Sequence, residues 1–192
     1  DEERPKGFYR RAGLVELERI ITYELRRGNQ RYPAASNEPI RFIRADPSRA
    51  DHLDALLAID ESAFPWLWWN TPEEFVHYGD QMGVELYFGL LGDQPVSYCG
   101  FTVFLGWAHL DRIAVRPDLQ QHGIGRETLA FVVRELFGIM IDRIGLSTQD
   151  YNQRSRRLYE AFGFRRSPGH DYCLHGVPHR EPALSMFAEP NH

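Results

Sequence analysis

The chain has 192 residues, 43% hydrophobic and 26% charged, with 22 Lys+Arg against 27 Asp+Glu for a net charge of −5; this suits one globular domain with a sizeable core and an appendage. That charge gives no long-range attraction for nucleic acid or an anionic membrane, no window approaches the length of an apolar membrane span, and nothing near Asp1 resembles a secretory signal. Two cysteines, Cys99 and Cys173, are too few and too far apart for a disulfide framework, which points to a reducing cytoplasm.

Residues 8 to 14, FYRRAGL, echo LYEAFGF at 158 to 164, Tyr9 over Tyr159 and Gly13 over Gly163, at an offset of 158 − 8 = 150. Beyond them Val15, Leu17, Ile21, Tyr23 and Leu25 share the parity of a strand, broken at Arg19, while a helix over 14 to 27 competes for the same residues. The polar stretch GNQRYPAASNEP (28 to 39) reads as a linker, so residues 1 to 27 form an N-terminal extension and a new unit opens near residue 40. There IRFIRA (40 to 45) alternates like a strand, and DHLDALLAIDESAF (51 to 64) has the leucines of an amphipathic helix. TPEEFVHYGDQM (71 to 82) is a second helix, with Thr71 as N-cap, Pro72 in the first position and acids in the first turn.

ELYFGLLG (85 to 92) and PVSYCGFTVFLG (95 to 106), joined by a turn at Asp93 and Gln94, read as antiparallel strands, and LDRIAV (110 to 115) as the next. After Gly125 the residues Leu129, Val132, Val133, Leu136 and Met140 recur at helical spacing. A strand RIGLSTQ (143 to 149), a helix NQRSRRLYEAFG (152 to 163) and two strands, FRRSPGHDYCL and PALSMF, close the chain. From residue 40 the order is β-α-α-β-β-β-α-β-α-β-β.

Between the third of these central strands and the helix that follows lies PDLQQHGIGRE (117 to 127), which puts Gly123 and Gly125 at a helix N-terminus. Unpaired amides and the helix dipole attract anions there, and glycine lets a phosphate approach the backbone. A Walker loop is excluded, because Arg126 and Glu127 follow Gly125 in place of Lys-Ser/Thr; a dinucleotide fingerprint lacks its third glycine, Thr128 standing there.

What remains, Gln120-x-x-Gly123-x-Gly125 with Arg126 behind a strand ending in Ala-Val, resembles the acyl-CoA-binding signature of the GNAT acetyltransferase superfamily. Downstream, Asn152 and RSRRLYEAFGF resemble that family's Asn…LY…GF segment, and the similarity runs over residues 40 to 187. The resemblance implies an α/β (α+β) GNAT fold, a twisted mixed sheet flanked by helices whose fourth and fifth strands splay to admit the pantetheine arm of acetyl-CoA. By position it gives cofactor-binding roles to Ile113, Ala114 and Val115, to the loop Gln120, Gln121, His122, Gly123, Ile124, Gly125 and Arg126, and to Asn152 and Ser155. Arg156 and Arg157 are further candidates for phosphate contact, with plain solvation of the helix as the alternative.

At 100° per residue Asn152, Ser155 and Tyr159 share one helix face. The resemblance makes Tyr159 the general acid that protonates the departing thiolate, for which a phenol is well matched; the alternative is a tyrosine of the core boundary. Strand parity sets His109, Asp111, Ile113 and Val115 on one side, and His109 and Asp111 are equal candidates for the base, beside a water relay that uses neither. Trp66, Trp68 and Trp69 in FPWLWWN line the acceptor pocket by resemblance, or cap the core; tryptophan faces also attract cations. His170, Cys173, His175 and His179 match no zinc spacing, so no metal is expected.

The expected activity is acetyl-CoA-dependent transfer to a primary amine, of a small molecule or a protein N-terminus, directly in a ternary complex. A non-catalytic acyl-CoA sensor is the alternative. No nucleic acid or membrane partner is expected, and a homodimer is compatible. Since the sequence starts at Asp1 and not Met, residues 1 to 27 are also read as the tail of a preceding GNAT-like domain.

Overall fold

The computed structural model describes residues 3–33 and 39–177. Helix α1 (Glu3–Arg11) leads into β1 (Val15–Arg26), followed by β2 (Ile40–Arg44), α2 (Ala50–Ala63), α3 (Pro72–Gly79) and the strands β3 (Val84–Leu91), β4 (Gln94–Val103) and β5 (Trp107–Val115). Then come α4 (Ile124–Gly138), β6 (Arg143–Gln149), α5 (Gln153–Ala161), β7 (Arg165–Arg166) and β8 (Tyr172–Gly176). One mixed eight-stranded sheet runs β2-β3-β4-β5-β6-β1-β7, with β8 also on β1. All pairs are antiparallel except β5 with β6.

The segment left open between strand and helix is a strand deep in the sheet. Glu18, Ile20, Ile21, Tyr23 and Leu25 are all buried, which a strand covered on two sides accommodates and an amphipathic helix does not. Ile20 sits between Gln149 of β6 and Tyr172 of β8. A bulge between Glu16 and Glu18 shifts the parity, so Val15 and Leu17 are exposed while Glu18 and Ile20 turn inward.

Two apolar clusters lie on either side of the sheet. On one, α4 and α5 cover β1, β5 and β6, with Leu129, Val133, Leu136, Tyr159 and Phe162 packed against Tyr23, Leu110 and Leu146. On the other, Leu56 and Ile59 of α2 and Phe75 of α3 cover Leu86, Phe88 and Tyr98. Helix α3 is fixed at its start by a reciprocal cap between Thr71 and Glu74, with Pro72 beside it. Two expectations shift. Helix α4 ends at Gly138, so Met140, at φ +66°, lies past the helix and is exposed. The segment 164 to 174 is interrupted at Pro168, which starts a one-turn 3-10 helix between β7 and β8. PALSMF and His179 lie outside the described residues.

Candidate active site

Strands β5 and β6 pair from Trp107 opposite Arg143 to Leu110 opposite Leu146. Beyond that point they continue to Val115 and Gln149 without pairing, which opens the sheet. A bulge in β5 lies at the opening: Phe101 faces Leu110 and Gly100 faces Arg112, so Asp111 is the extra residue. The bulge also corrects the parity reading. His109 and Asp111 face the α3 side, whereas Ile113 packs into the α4–α5 cluster and Val115 approaches the start of α4.

The loop after β5 turns through a 3-10 helix at Pro117–Leu119 and enters α4 at Gly123. Gly123 has φ +88°, a left-handed conformation that glycine adopts without penalty, and Gln121 holds φ +68° at some cost. The first amides bonded back are those of Arg126 and Glu127, both to the Gly123 carbonyl at 3.0 Å. Those of Ile124 and Gly125 therefore precede any helical acceptor.

Gly125 is required neither by its backbone nor by packing. A Cβ there would meet Val115 Cγ2 at 3.6 Å and Leu158 Cδ2 at 3.8 Å, ordinary contacts. At this glycine the end of β5, the start of α4 and the neighbour of Tyr159 converge. A positive helix end with a small residue beside an open sheet fits a diphosphate carrying an extended arm. Gln120 serves as a brace: its amide donates to the Val115 carbonyl at 3.1 Å, and its oxygen accepts from Arg154.

Tyr159 is 5% exposed, packs against Tyr23 and Phe164, and shares its cluster with Leu110 and Leu146, the last paired residues before the opening. Burial pushes its phenol up to about 12, opposed by a hydrogen bond with Ser155. Asn152 is the N-cap of α5, its side chain accepting from the Ser155 amide at 3.1 Å. Arg156 is engaged by Asp150 and by the Tyr23 hydroxyl.

On the opposite face His109 Nδ1 lies 2.7 Å from Asp111 Oδ1. The other oxygen, Oδ2, accepts from Tyr78 at 2.5 Å and Thr102 at 2.7 Å. Both carboxylate oxygens are thus engaged, and the pair holds the imidazole with Nδ1 as donor and Nε2 as acceptor. The tryptophans form a 3-10 turn, Trp66–Trp68; Trp66 and Trp69 are 51% and 45% exposed, and the Trp69 indole donates to the Phe64 carbonyl.

Sequence reasoning missed two sets of residues here. Asp60 is fully buried in α2 and accepts from Tyr98, from Arg112 at 2.6 Å and from the Asn70 amide at 2.9 Å. Arg112 also donates to the Trp68 carbonyl and lies over the Phe64 ring. This network ties the tryptophan turn to the bulged strand. Glu18 of β1, 4% exposed, accepts from Trp68 Nε1 at 2.8 Å and from the Tyr151 hydroxyl at 3.1 Å; burial raises its pKa, against both hydrogen bonds. An acid on an amphipathic helix would face solvent, so the ambiguity of the N-terminal segment concealed Glu18, whereas Asp60 gave a signal as an acid in line with the leucines of α2.

Neither Cys99 nor Cys173 forms a disulfide, and burial pushes the Cys99 thiol up. Among the described residues no three His, Cys, Asp or Glu side chains converge on a point that could hold a metal, and no helix is long and apolar enough to cross a membrane.

A splayed parallel pair, a left-handed glycine opening the next helix and a buried tyrosine on the helix after it define an acyltransferase fold. The chain belongs to the acetyltransferase (GNAT) family, whose model matches residues 51–164, more than half of its length, and it is an acyltransferase. It is 32% identical over 106 residues to the [ribosomal protein bS18]-alanine N-acetyltransferase of Salmonella typhimurium, covering 55% of this chain and 68% of that protein. The crystal structure of the ribosomal-protein-S18-alanine N-acetyltransferase from Escherichia coli superposes with a TM-score of 0.59 at 24% identity, over 67% of this chain and 79% of that one. A GCN5-related N-acetyltransferase from Kribbella flavida superposes at 0.64 and 14% identity over 94% of this chain, which spans 65% of that longer chain.

Proposed function

We propose that the chain carries an acetyl group from acetyl-CoA to a primary amine by direct transfer in a ternary complex. The observation that carries this reading is the convergence at Gly125 of the open β5 end, the α4 N-terminus and Leu158, one residue from Tyr159. Ile113, Ala114 and Val115 would hold the pantetheine arm in the opening, and the 121 to 126 segment would hold the diphosphate. When bound, acetyl-CoA supplies the activated thioester.

The chain's own groups handle the protons. Tyr159, its pKa about 12, stays protonated at neutral pH and is the donor to the departing thiolate. His109, oriented by Asp111, offers Nε2 on the acceptor side to take the amine's proton, directly or through one water. The tryptophan turn, braced by Arg112 and Glu18, frames the acceptor. The α-amino group of a protein N-terminus is the first acceptor to test, because the Salmonella relative acts on a ribosomal-protein alanine; such an amine, of pKa about 8, is easily deprotonated. A cytoplasmic location fits two cysteines that form no disulfide.

The test is calorimetric titration with acetyl-CoA followed by a thiol-release assay over N-terminal peptides and small amines. Micromolar binding and acceptor-dependent CoA release are expected. Failure to bind acetyl-CoA would overturn the anchor, and binding without turnover on any amine would overturn the enzymatic reading.

A further inference from the structure

The echo between residues 8–14 and 158–164 extends through whole elements. Helix α1 spans Glu3–Arg11 and α5 spans Gln153–Ala161, nine residues each. Strand β1 covers Val15–Arg26, and β7 through β8 cover Arg165–Gly176. The helix end and both strand bounds recur 150 positions later: Arg11 and Ala161, Val15 and Arg165, Arg26 and Gly176.

The turns between helix and strand are built alike. Ala12 N bonds Phe8 O, Gly13 N bonds Arg10 O and Leu14 N bonds Tyr9 O, at 3.0, 3.1 and 2.9 Å. At the same offset Phe162 N bonds Leu158 O, Gly163 N bonds Glu160 O and Phe164 N bonds Tyr159 O, at 3.4, 3.0 and 3.1 Å. Both central glycines are left-handed, at φ +78° and +94°.

The two strands also lie against each other, antiparallel, with Val15 opposite Gly176 and Glu24 opposite Arg165. Copies related by an approximate two-fold axis normal to the sheet lie in this way. The surroundings of the two units differ, however. Among the described residues, strand β1 is paired on both edges, by β6 and by β7–β8, whereas β7–β8 is paired on one. Leu158, Phe162 and Phe164 of the second unit pack in the α4–α5 cluster; their counterparts are Phe8, 63% exposed, Ala12, exposed, and Leu14, half-buried.

We propose that α1 and β1 are the last helix and strand of a second GNAT-like half lying ahead of them in the same polypeptide, and that the two halves exchange strands. Strand β1 completes this sheet. The outer edge of β7–β8 reciprocally takes the strand that corresponds to β6 in the other half, and the α4-like helix of that half covers Phe8. Symmetry names the occupant, because whatever borders β1 and α5 here must border β7–β8 and α1 there.

The experiment is expression of the complete reading frame, with intact mass, amide exchange and one variant read on that product. A mass of about 35 kDa is expected, because the second half adds roughly 110 residues ahead of the α1–β1 unit already present, against 22.3 kDa for the present chain. In it the amides of residues 172–176 exchange within about tenfold of those of β1, as for a strand paired on both edges. Phe8→Lys lowers its Tm by about 5 °C or more, as for a covered side chain. A product of 22.3 kDa, apart from an initiating Met, would overturn the proposal, as would a longer product with edge-like exchange at 172–176 and a neutral Phe8→Lys. None of these readouts depends on acetyl transfer, so the proposal and the catalytic reading fail separately.

Discussion

Tyr159 and the His109–Asp111 pair sit on opposite faces of the sheet, which in the proposed reaction keeps the acid for the departing thiolate apart from the base for the incoming amine. Tyr159→Phe removes one oxygen from a buried site and preserves the packing against Tyr23 and Phe164. It should lower kcat by about 10²-fold with acetyl-CoA affinity little changed, which steady-state kinetics beside calorimetry will separate; an equal rise in Kd would mean that the phenol only binds. His109→Gln should cost about 10²-fold in kcat, and Asp111→Asn less, since it disturbs the orientation of the ring and leaves the ring in place. The rate restored by raising pH should distinguish them, because a base is dispensable once the amine is neutral. Tyr159 was legible from helical periodicity joined to a motif. The side on which Asp111 points was not, because no residue type marks that bulge in β5, and only the partner strand reveals the extra residue.

At the level of elements, the entry to α4 and the brace under the tryptophan turn carry separate predictions. Gly123→Ala forces a Cβ into a left-handed conformation and should cost about 1–2 kcal/mol, with acetyl-CoA binding weakened as the turn shifts. Gly125→Ala meets only ordinary contacts and should leave stability nearly unchanged. Denaturant titration of the two proteins checks both, and equal losses would contradict the different reasons for the two glycines. Arg112→Met leaves the Asp60 carboxylate buried without its ion pair and should cost about 3 kcal/mol, seen as a lowered Tm and a rise in KM for the acceptor as the turn loosens. Most elements could be read from the sequence because local chemistry punctuates them, as Thr71, Pro72 and Glu74 do for α3. Strand β1 stays open between strand and helix, since the bulge between Glu16 and Glu18 breaks its alternation near Arg19, and its place in the sheet depends on partners more than a hundred residues away.

Across the whole molecule, several tyrosines have raised pKa values, all with desolvation as the largest cause: the buried Tyr98 and Tyr159, the half-buried Tyr78, and Tyr151, which is 43% exposed. Folding therefore favours their protonated forms, and the unfolded chain sheds those protons first. Stability should be intact below pH 10, the ordinary phenol value, and fall as pH rises toward 12, the folded value of Tyr159 and Tyr151. Denaturant midpoints between pH 8 and 11 should show this decline, and Tyr159→Phe should flatten it by roughly 1–3 kcal/mol; an unchanged slope would mean that the ring is reached by solvent.

The position of β1 also sets an order of assembly. The strand leaves the ribosome more than a hundred residues before β6, its neighbour in the finished sheet. At roughly 5–20 residues per second it waits for several seconds to some tens of seconds with two open edges and a run of isoleucines and tyrosine on display. Through that interval both its edges stay open to wrong partners, and a chaperone that guards nascent strands would act here.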